Sequence, residues 1–288
     1  MNKDKYIILG HENPDVDSIV SGYLLEKYMI KLGFDAQFVI PDKVIEKNTL
    51  NLCFKYGLKA SNYQIVDFDF KDDYKYVLID HSEREGLKNI FAIVDHHPRD
   101  KMIKCKNYYN YVSSSTSCII CKGREEYFDK DDIKLCILAA FVDTASFNST
   151  KSVVEDKEWI KDLCEKYSFD YNVFYEDGLC LTDLDNIDDV CFNGLKKYNV
   201  NELIVYSSFI HIKYDKKTSL LIQEVINILK EYIKNNNIDI FLFIVHDMVN
   251  FKTRVYEIKR ECTEEYNYER YTSRGGVIIP DLIRRVSS

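Results

Sequence analysis

The sequence predicts an α/β protein of two domains: a larger one with a mainly parallel sheet flanked by helices, then a smaller α/β module. Three observations carry that expectation. Strand-like and helix-like segments alternate through the first half, the pattern that builds parallel sheets covered by helices. At 288 residues the chain exceeds the usual size of a single domain. An acidic stretch without clear period, 177–192, separates the two patterned halves, so the expected domains are 1–183 and 190–288.

Taken in order, "KYIIL" reads as a strand and "SIVSGYLLEKYMIKLG" as a helix stopped by Gly33. "AQFVI" is a strand, a helix follows near 43–57, and "YKYVLID" and "NIFAIVD" are strands. Helical periodicity recurs at about 115–128, 131–146 and 154–168, the last with the charge-rich pattern of an exposed helix. After the acidic stretch come a strand "NELIVYSSFIHI", a long amphipathic helix "TSLLIQEVINILKEYIKNNN", and the strands "IDIFLFIV", "RVYEI" and "GGVIIP".

With 46% hydrophobic and 30% charged residues the composition is that of a folded globular protein. A net charge of −8 argues against broad nucleic-acid binding and against docking on anionic membranes, so an anionic ligand needs a local positive feature. The opening lacks the apolar run of a signal peptide, and "IDIFLFIV" is too short to span a bilayer, which gives a cytoplasmic expectation. Nine scattered cysteines argue against a disulfide framework. The lone CxxC, Cys118 and Cys121, reads as core packing.

The chemistry-bearing residues sit where strands end. Asp15 and Asp17 follow the first strand; Asp80 closes "YVLID"; Asp95, His96 and His97 close "FAIVDHH"; Asp143 lies in "LAAFVDTASF". In open parallel sheets the ligand crevice lies outside the carboxyl ends of the strands. Taken singly, each residue reads as a helix cap or a polar loop. Four such coincidences in one domain point instead to a shared pocket, whose carboxylates repel one another unless cations enter it. Two divalent ions balance the four negative charges of Asp15, Asp17, Asp80 and Asp143. A mixed Asp/His set without thiolate suits Mn2+, Co2+, Fe2+ or Mg2+ better than structural zinc, and the imidazoles lean away from Mg2+ alone. Paired metals are a physical solution for phosphoryl hydrolysis.

The motifs "GHENPDVDS", "LIDHSE", "VDHHPR" and "LAAFVDTASFNSTKS", in that order, resemble the DHH phosphoesterase superfamily, and within it the family II, manganese-dependent inorganic pyrophosphatases. The resemblance covers nearly the whole chain and implies an active site in the cleft between a metal-binding catalytic domain and a substrate-binding domain. It implies that His11, Asp15 and Asp80 hold one metal, Mn2+ first, and that Asp17, Asp80, His96 and Asp143 hold the other, with Asp80 bridging. His97 is then the proton donor or phosphate contact, and Asp95 orients a histidine.

In the second domain the resemblance assigns substrate contact to Lys196, with Lys197 next to it, and to Arg274. The family's tail motif, Ser-Arg-Lys-Lys-Gln followed by two aliphatics and proline, reads "SRGGVIIP" here, so Gly275, Gly276 and Val277 replace two lysines and a glutamine. His211 and His246 fall outside the matched motifs and read as structural. The expected function is hydrolysis of a phosphoanhydride, inorganic pyrophosphate first. Polyphosphate or a small nucleotide diester is the alternative substrate, and a catalytically silent nucleotide-binding relative the alternative class. A small phosphate-containing substrate is the expected partner, with a homodimer implied by the resemblance.

Overall fold

The chain divides into two compact units, Met1–Gly178 and Leu179–Ser288. The structure, a computed structural model, describes residues 4–41, 45, 47–65, 70–82, 87–97 and 105–287. The first unit carries β1 (Lys5–Leu9), α1 (Val16–Lys31), β2 (Asp35–Ile40), α2 (Lys47–Lys55), β3 (Gln64–Ile65), β4 (Lys75–Ile79), β5 (Ile90–Asp95) and β6 (Asn107–Asn110). Four helices follow: α3 (Thr116–Cys121), α4 (Lys130–Asp143), α5 (Val154–Tyr167) and α6 (Tyr171–Gly178).

The six strands run parallel in the order β3-β2-β1-β4-β5-β6. Alternation along the strands splits the core: Tyr6, Ile8, Val77 and Ile79 pack with α1 and α4 on one face, Ile7, Leu9, Leu78 and Ile93 on the other. Close approach of α1 to β2 depends on Gly22, where a Cβ would lie 2.2 Å from the buried Phe38 ring. Helix α1 is capped by Asp15, whose carboxylate accepts the Ser18 N–H at 3.0 Å. The helical period over 115–128 resolves into α3 and a 3-10 turn at Glu125–Tyr127, broken where Gly123 takes φ +76. Part of the helix expected over 43–57 lies outside the described residues, and α2 accounts for the rest.

The second unit contains α7 (Ile187–Phe192), β7 (Lys196–Val200), β8 (Leu203–Ile212), α8 (Lys216–Asn236), β9 (Ile240–Asp247), β10 (Lys252–Ile258), β11 (Thr263–Tyr268) and α9 (Ile279–Val286). Its sheet is mixed, in the order β11-β10-β9-β8-β7, with only β8 and β9 parallel, as the α8 crossover requires. Residues 179–183 belong with it: the Thr182 N–H donates to the His211 carbonyl at 2.8 Å and the His211 N–H returns to the Thr182 hydroxyl at 3.0 Å.

The terminal "GGVIIP" is not a strand. Arg274–Ile278 form a π turn leading into α9. Ser273 caps it by accepting the Gly276 N–H at 3.2 Å, Pro280 occupies the first turn, where its missing N–H costs nothing, and Ile278, Ile279 and Leu282 are buried along the turn. Among the described residues no helix is long and apolar enough to cross a membrane.

Candidate metal centre

The three central strands β1, β4 and β5 are parallel neighbours, so their carboxyl ends share one edge of the sheet. Sequence order reverses between β1 and β4, the switch point where open α/β sheets leave a crevice. His11 follows β1, Asp15 and Asp17 open α1, Asp80 follows β4, Asp95, His96 and His97 complete β5, and Asp143 ends α4. Asp80 sits at the strand end with φ +62, a left-handed backbone that Asp tolerates better than most residues.

Two groups of three side chains each bring one ligand atom within 4.8 Å of the others: His11, Asp15 and Asp80; and Asp80, His96 and His97. Asp80 belongs to both and addresses them with different oxygens. Its Oδ2 lies 3.6 Å from His11 Nε2, which is also 3.6 Å from Asp15 Oδ1. Its Oδ1 lies 3.6 Å from His96 Nε2, which is 3.3 Å from Asp143 Oδ2. These separations are long for hydrogen bonds but match the edges between ligands bound about 2.0–2.2 Å from a common metal ion.

The imidazoles are prepared for that role. The Glu12 carbonyl, 2.8 Å from His11 Nδ1, and the Ser113 carbonyl, 3.0 Å from His96 Nδ1, each accept an N–H and leave Nε2 with its lone pair. His96 Nε2 and Asp143 Oδ2 are buried polar atoms without a hydrogen-bond partner. Such atoms are costly unless something satisfies them, and a divalent cation fits both. Burial, then Asp17, Asp15 and Asp143, raise the Asp80 carboxyl well above its ordinary pKa. Burial also leads the causes raising Asp17, with Asp143 and Asp15 adding and His96 opposing. This donor set therefore has the composition, orientation and charge to take up divalent cations.

Asp17 is buried and enters neither group; the start of α3 holds it. The Thr116 and Ser117 N–H groups donate to its two oxygens at 2.7 and 3.1 Å, and each oxygen retains a lone pair. Segment 113–117 thus serves three members of the cluster, since the Thr116 hydroxyl also donates to Asp80 Oδ1 at 3.0 Å. The buried Asp156 carboxylate holds this strap from behind, accepting from the Ser113 hydroxyl at 2.8 Å and the Ser114 N–H at 2.7 Å. None of these supporting residues stood out in the sequence; the trace they leave there is an uninterrupted run of five hydroxyl residues, Ser113 to Ser117, all of which the fold buries.

His97 donates from its backbone N–H and from Nδ1 to Asp95 Oδ1, at 3.0 and 2.9 Å. Burial raises the Asp95 carboxyl, but these bonds outweigh it and leave its pKa below the usual value. His97 Nε2 is left for other chemistry on a side chain 40% exposed. Lys151, which sequence reasoning passed over, ion-pairs with Asp143 Oδ1 at 2.6 Å.

In the second unit, Lys196 is the register partner of Ser207, and Arg274 donates to the Ser207 hydroxyl at 3.4 Å and to the Gly194 carbonyl. Both expected substrate contacts thus neighbour Ser207, one by strand register and one by hydrogen bond. Arg274 also lies 5.2 Å from the centre of the Phe209 ring. His211 and His246 pack against Tyr271. Burial holds the His211 pKa down to about 4, while burial, His211 and Arg274 keep His246 well below the usual value, so both stay neutral. Cys118 and Cys121 are buried free thiols in the core.

The DHH family, N-terminal domain, matches residues 5–141. The chain is 23% identical over 272 residues to the probable manganese-dependent inorganic pyrophosphatase of Oceanobacillus iheyensis, covering 88% of this chain and 86% of that one. It is 23% identical over 283 residues to the manganese-dependent inorganic pyrophosphatase of Bacillus subtilis, covering 91% and 88%. A solved structure described as a putative family II inorganic pyrophosphatase of Methanococcus jannaschii shares the fold at a TM-score of 0.70 and 21% identity, over 98% of this chain and 100% of the other. The stretch similar to the N-terminal domain of the DHH family, residues 5–141, includes every member of the cluster except Asp143 and Lys151.

Proposed function

We propose that this chain hydrolyses phosphoanhydrides with two divalent cations, Mn2+ first, and that inorganic pyrophosphate is its substrate. The observation that carries the reading is Asp80, whose two oxygens face two sets of ligand atoms, each containing an imidazole with its other nitrogen engaged by a backbone carbonyl. The pyrophosphatase names of relatives aligned over most of the chain support the choice of substrate.

His11, Asp15 and Asp80 would hold one ion, and Asp80, His96, Asp143 and Asp17 the other. Bound there, such a pair supplies Lewis-acid activation of water and a clamp on phosphoryl oxygens. The protein's own groups do the rest. Asp95 fixes the His97 ring through Nδ1, which leaves Nε2 as the atom that would pass a proton to the leaving phosphate. Thr116 keeps Asp80 oriented. Lys196 and Arg274 are assigned to the anionic oxygens of the substrate.

Hydrolysis by the Mn2+-loaded protein of pyrophosphate and polyphosphate, read as phosphate release, and of a dinucleotide, read as mononucleotide formation, tests the reading. Pyrophosphate should be cleaved fastest; a rate on it no higher than on a model diester contradicts the choice. The tail gives a second test. A Cβ at Gly275 meets nothing within 4 Å, and one at Gly276 meets only Ser273, at 3.4 Å or beyond. Gly275→Lys with Gly276→Lys should therefore be tolerated and lower the KM for pyrophosphate by about tenfold, since a charge-assisted contact is worth about 1.5–3 kcal/mol. An unchanged KM means these positions do not face substrate.

A further inference from the structure

Beyond Asp143 the backbone takes an unusual path. Ala145, Ser146 and Phe147 adopt left-handed conformations in succession, with φ 48, 58 and 61, and none is glycine. Each costs free energy for an L-residue, and such strain persists only where the surroundings enforce it. Here they do. The Thr144 hydroxyl donates to the Ala140 carbonyl at 2.6 Å and accepts the Phe147 N–H at 2.9 Å. The Ser146 N–H donates to the Phe141 carbonyl at 2.7 Å, and the Asn148 side-chain amide donates to the carbonyls of Ala145 and Ser146 at 3.0 and 2.9 Å. The Phe147 ring packs edge-on against Phe141, 5.2 Å between centres.

This reversal returns the chain to the cluster, where Lys151 meets Asp143 Oδ1 at 2.6 Å while Asp143 Oδ2 faces His96. The pair is asymmetric. The Asp143 side chain is 8% exposed and the Lys151 side chain 42% exposed, so the ammonium lies at the solvent boundary of the carboxylates. Its charge is also felt by Asp15 and Asp80, which places it near both groups of candidate ligands.

Charge counting then gives Lys151 a task. Two divalent ions cancel Asp15, Asp17, Asp80 and Asp143, and Asp95 is engaged by His97, so the ammonium is positive charge that these four carboxylates no longer need, at the solvent edge where an anion arrives. We propose that Lys151 is a substrate-binding residue whose ammonium contacts an oxygen of the phosphate group held at the metal centre. This rests on the two-cation reading above. With a cation on Asp143 Oδ2 and one ammonium N–H on Asp143 Oδ1, the other two N–H donors of Lys151 are available to that oxygen.

Full-length Lys151→Met and Lys151→Arg, each loaded with Mn2+, test this by calorimetric titration with inorganic phosphate alongside titration with Mn2+ alone. Lys151→Met should bind Mn2+ with unchanged stoichiometry and within about threefold of the wild-type affinity, while phosphate binding weakens about tenfold or more. Lys151→Arg should restore most of that loss. The KM for pyrophosphate should rise with the phosphate dissociation constant and kcat should change less. The proposal is overturned by unchanged phosphate affinity in Lys151→Met, by a loss that follows weakened Mn2+ binding, or by a wild-type protein that binds no phosphate. The two readings separate cleanly. If the wild type leaves pyrophosphate intact yet binds phosphate through Lys151, the substrate choice falls and this assignment stands; if pyrophosphate is hydrolysed with the same KM by Lys151→Met, the reverse holds.

Discussion

Replacing Asp80 with asparagine should abolish hydrolysis and make the metal-free protein more stable. The variant keeps the size of the side chain but loses its charge and one of the two oxygens that face the separate ligand groups. Bound Mn2+ should drop from two ions per chain to one or none, and kcat/KM by about a thousandfold or more, equivalent to about 4 kcal/mol of transition-state stabilisation. Stability should move the other way. The Asp80 carboxyl is raised well above its ordinary range, first by burial and then by Asp17, Asp15 and Asp143. A carboxyl raised on folding binds its proton more tightly in the folded state, so stability falls as pH rises from about the unfolded value through the folded one, and the penalty persists above it. Asp80→Asn removes that penalty. Denaturant midpoints of the metal-free proteins should diverge in favour of the variant as pH rises above about 4. Equal midpoints at neutral pH, or a variant that still binds two ions, contradict the shared role of Asp80.

His97→Gln should separate metal binding from turnover. His97 gives its Nδ1 hydrogen to Asp95, and its contribution to catalysis is expected through Nε2. The variant should retain both ions while kcat falls by about 100-fold or more, within the range for losing a general acid. Glutamine offers no titrating nitrogen, so any pH dependence of kcat due to this group should vanish as well. Metal loss matching that of Asp80→Asn means that His97 acts as a ligand in the group it shares with Asp80 and His96.

The cluster was legible in the sequence because parallel sheets place ligands at the carboxyl ends of strands, and the acids and histidines occur there: His11 after β1, Asp80 after β4, His96 and His97 after β5. The supports were not legible. Ser113, Thr116 and Asp156 act through hydrogen bonds set by tertiary packing, and no spacing announces that the start of α3 will hold Asp17. Lys151 escaped for a related reason, since three non-glycine residues in left-handed conformation leave no composition signal for the turn that returns it to Asp143. The final helix was misread because a short run of β-branched residues satisfies strand and buried-helix templates alike. Capping by Ser273 and burial of Ile278, Ile279 and Leu282 decided in favour of the helix. Edge strands β6 and β11, "NYYN" and "TEEYNY", were too short or too polar to read.

The account stands on one property, the capacity of this cluster for two cations, and equilibrium dialysis of the metal-depleted wild-type chain against Mn2+ measures it directly. Two ions bound per chain are expected, with Asp143→Asn and Asp15→Asn each removing one. Binding of a single ion, or none, at saturating Mn2+ contradicts the account.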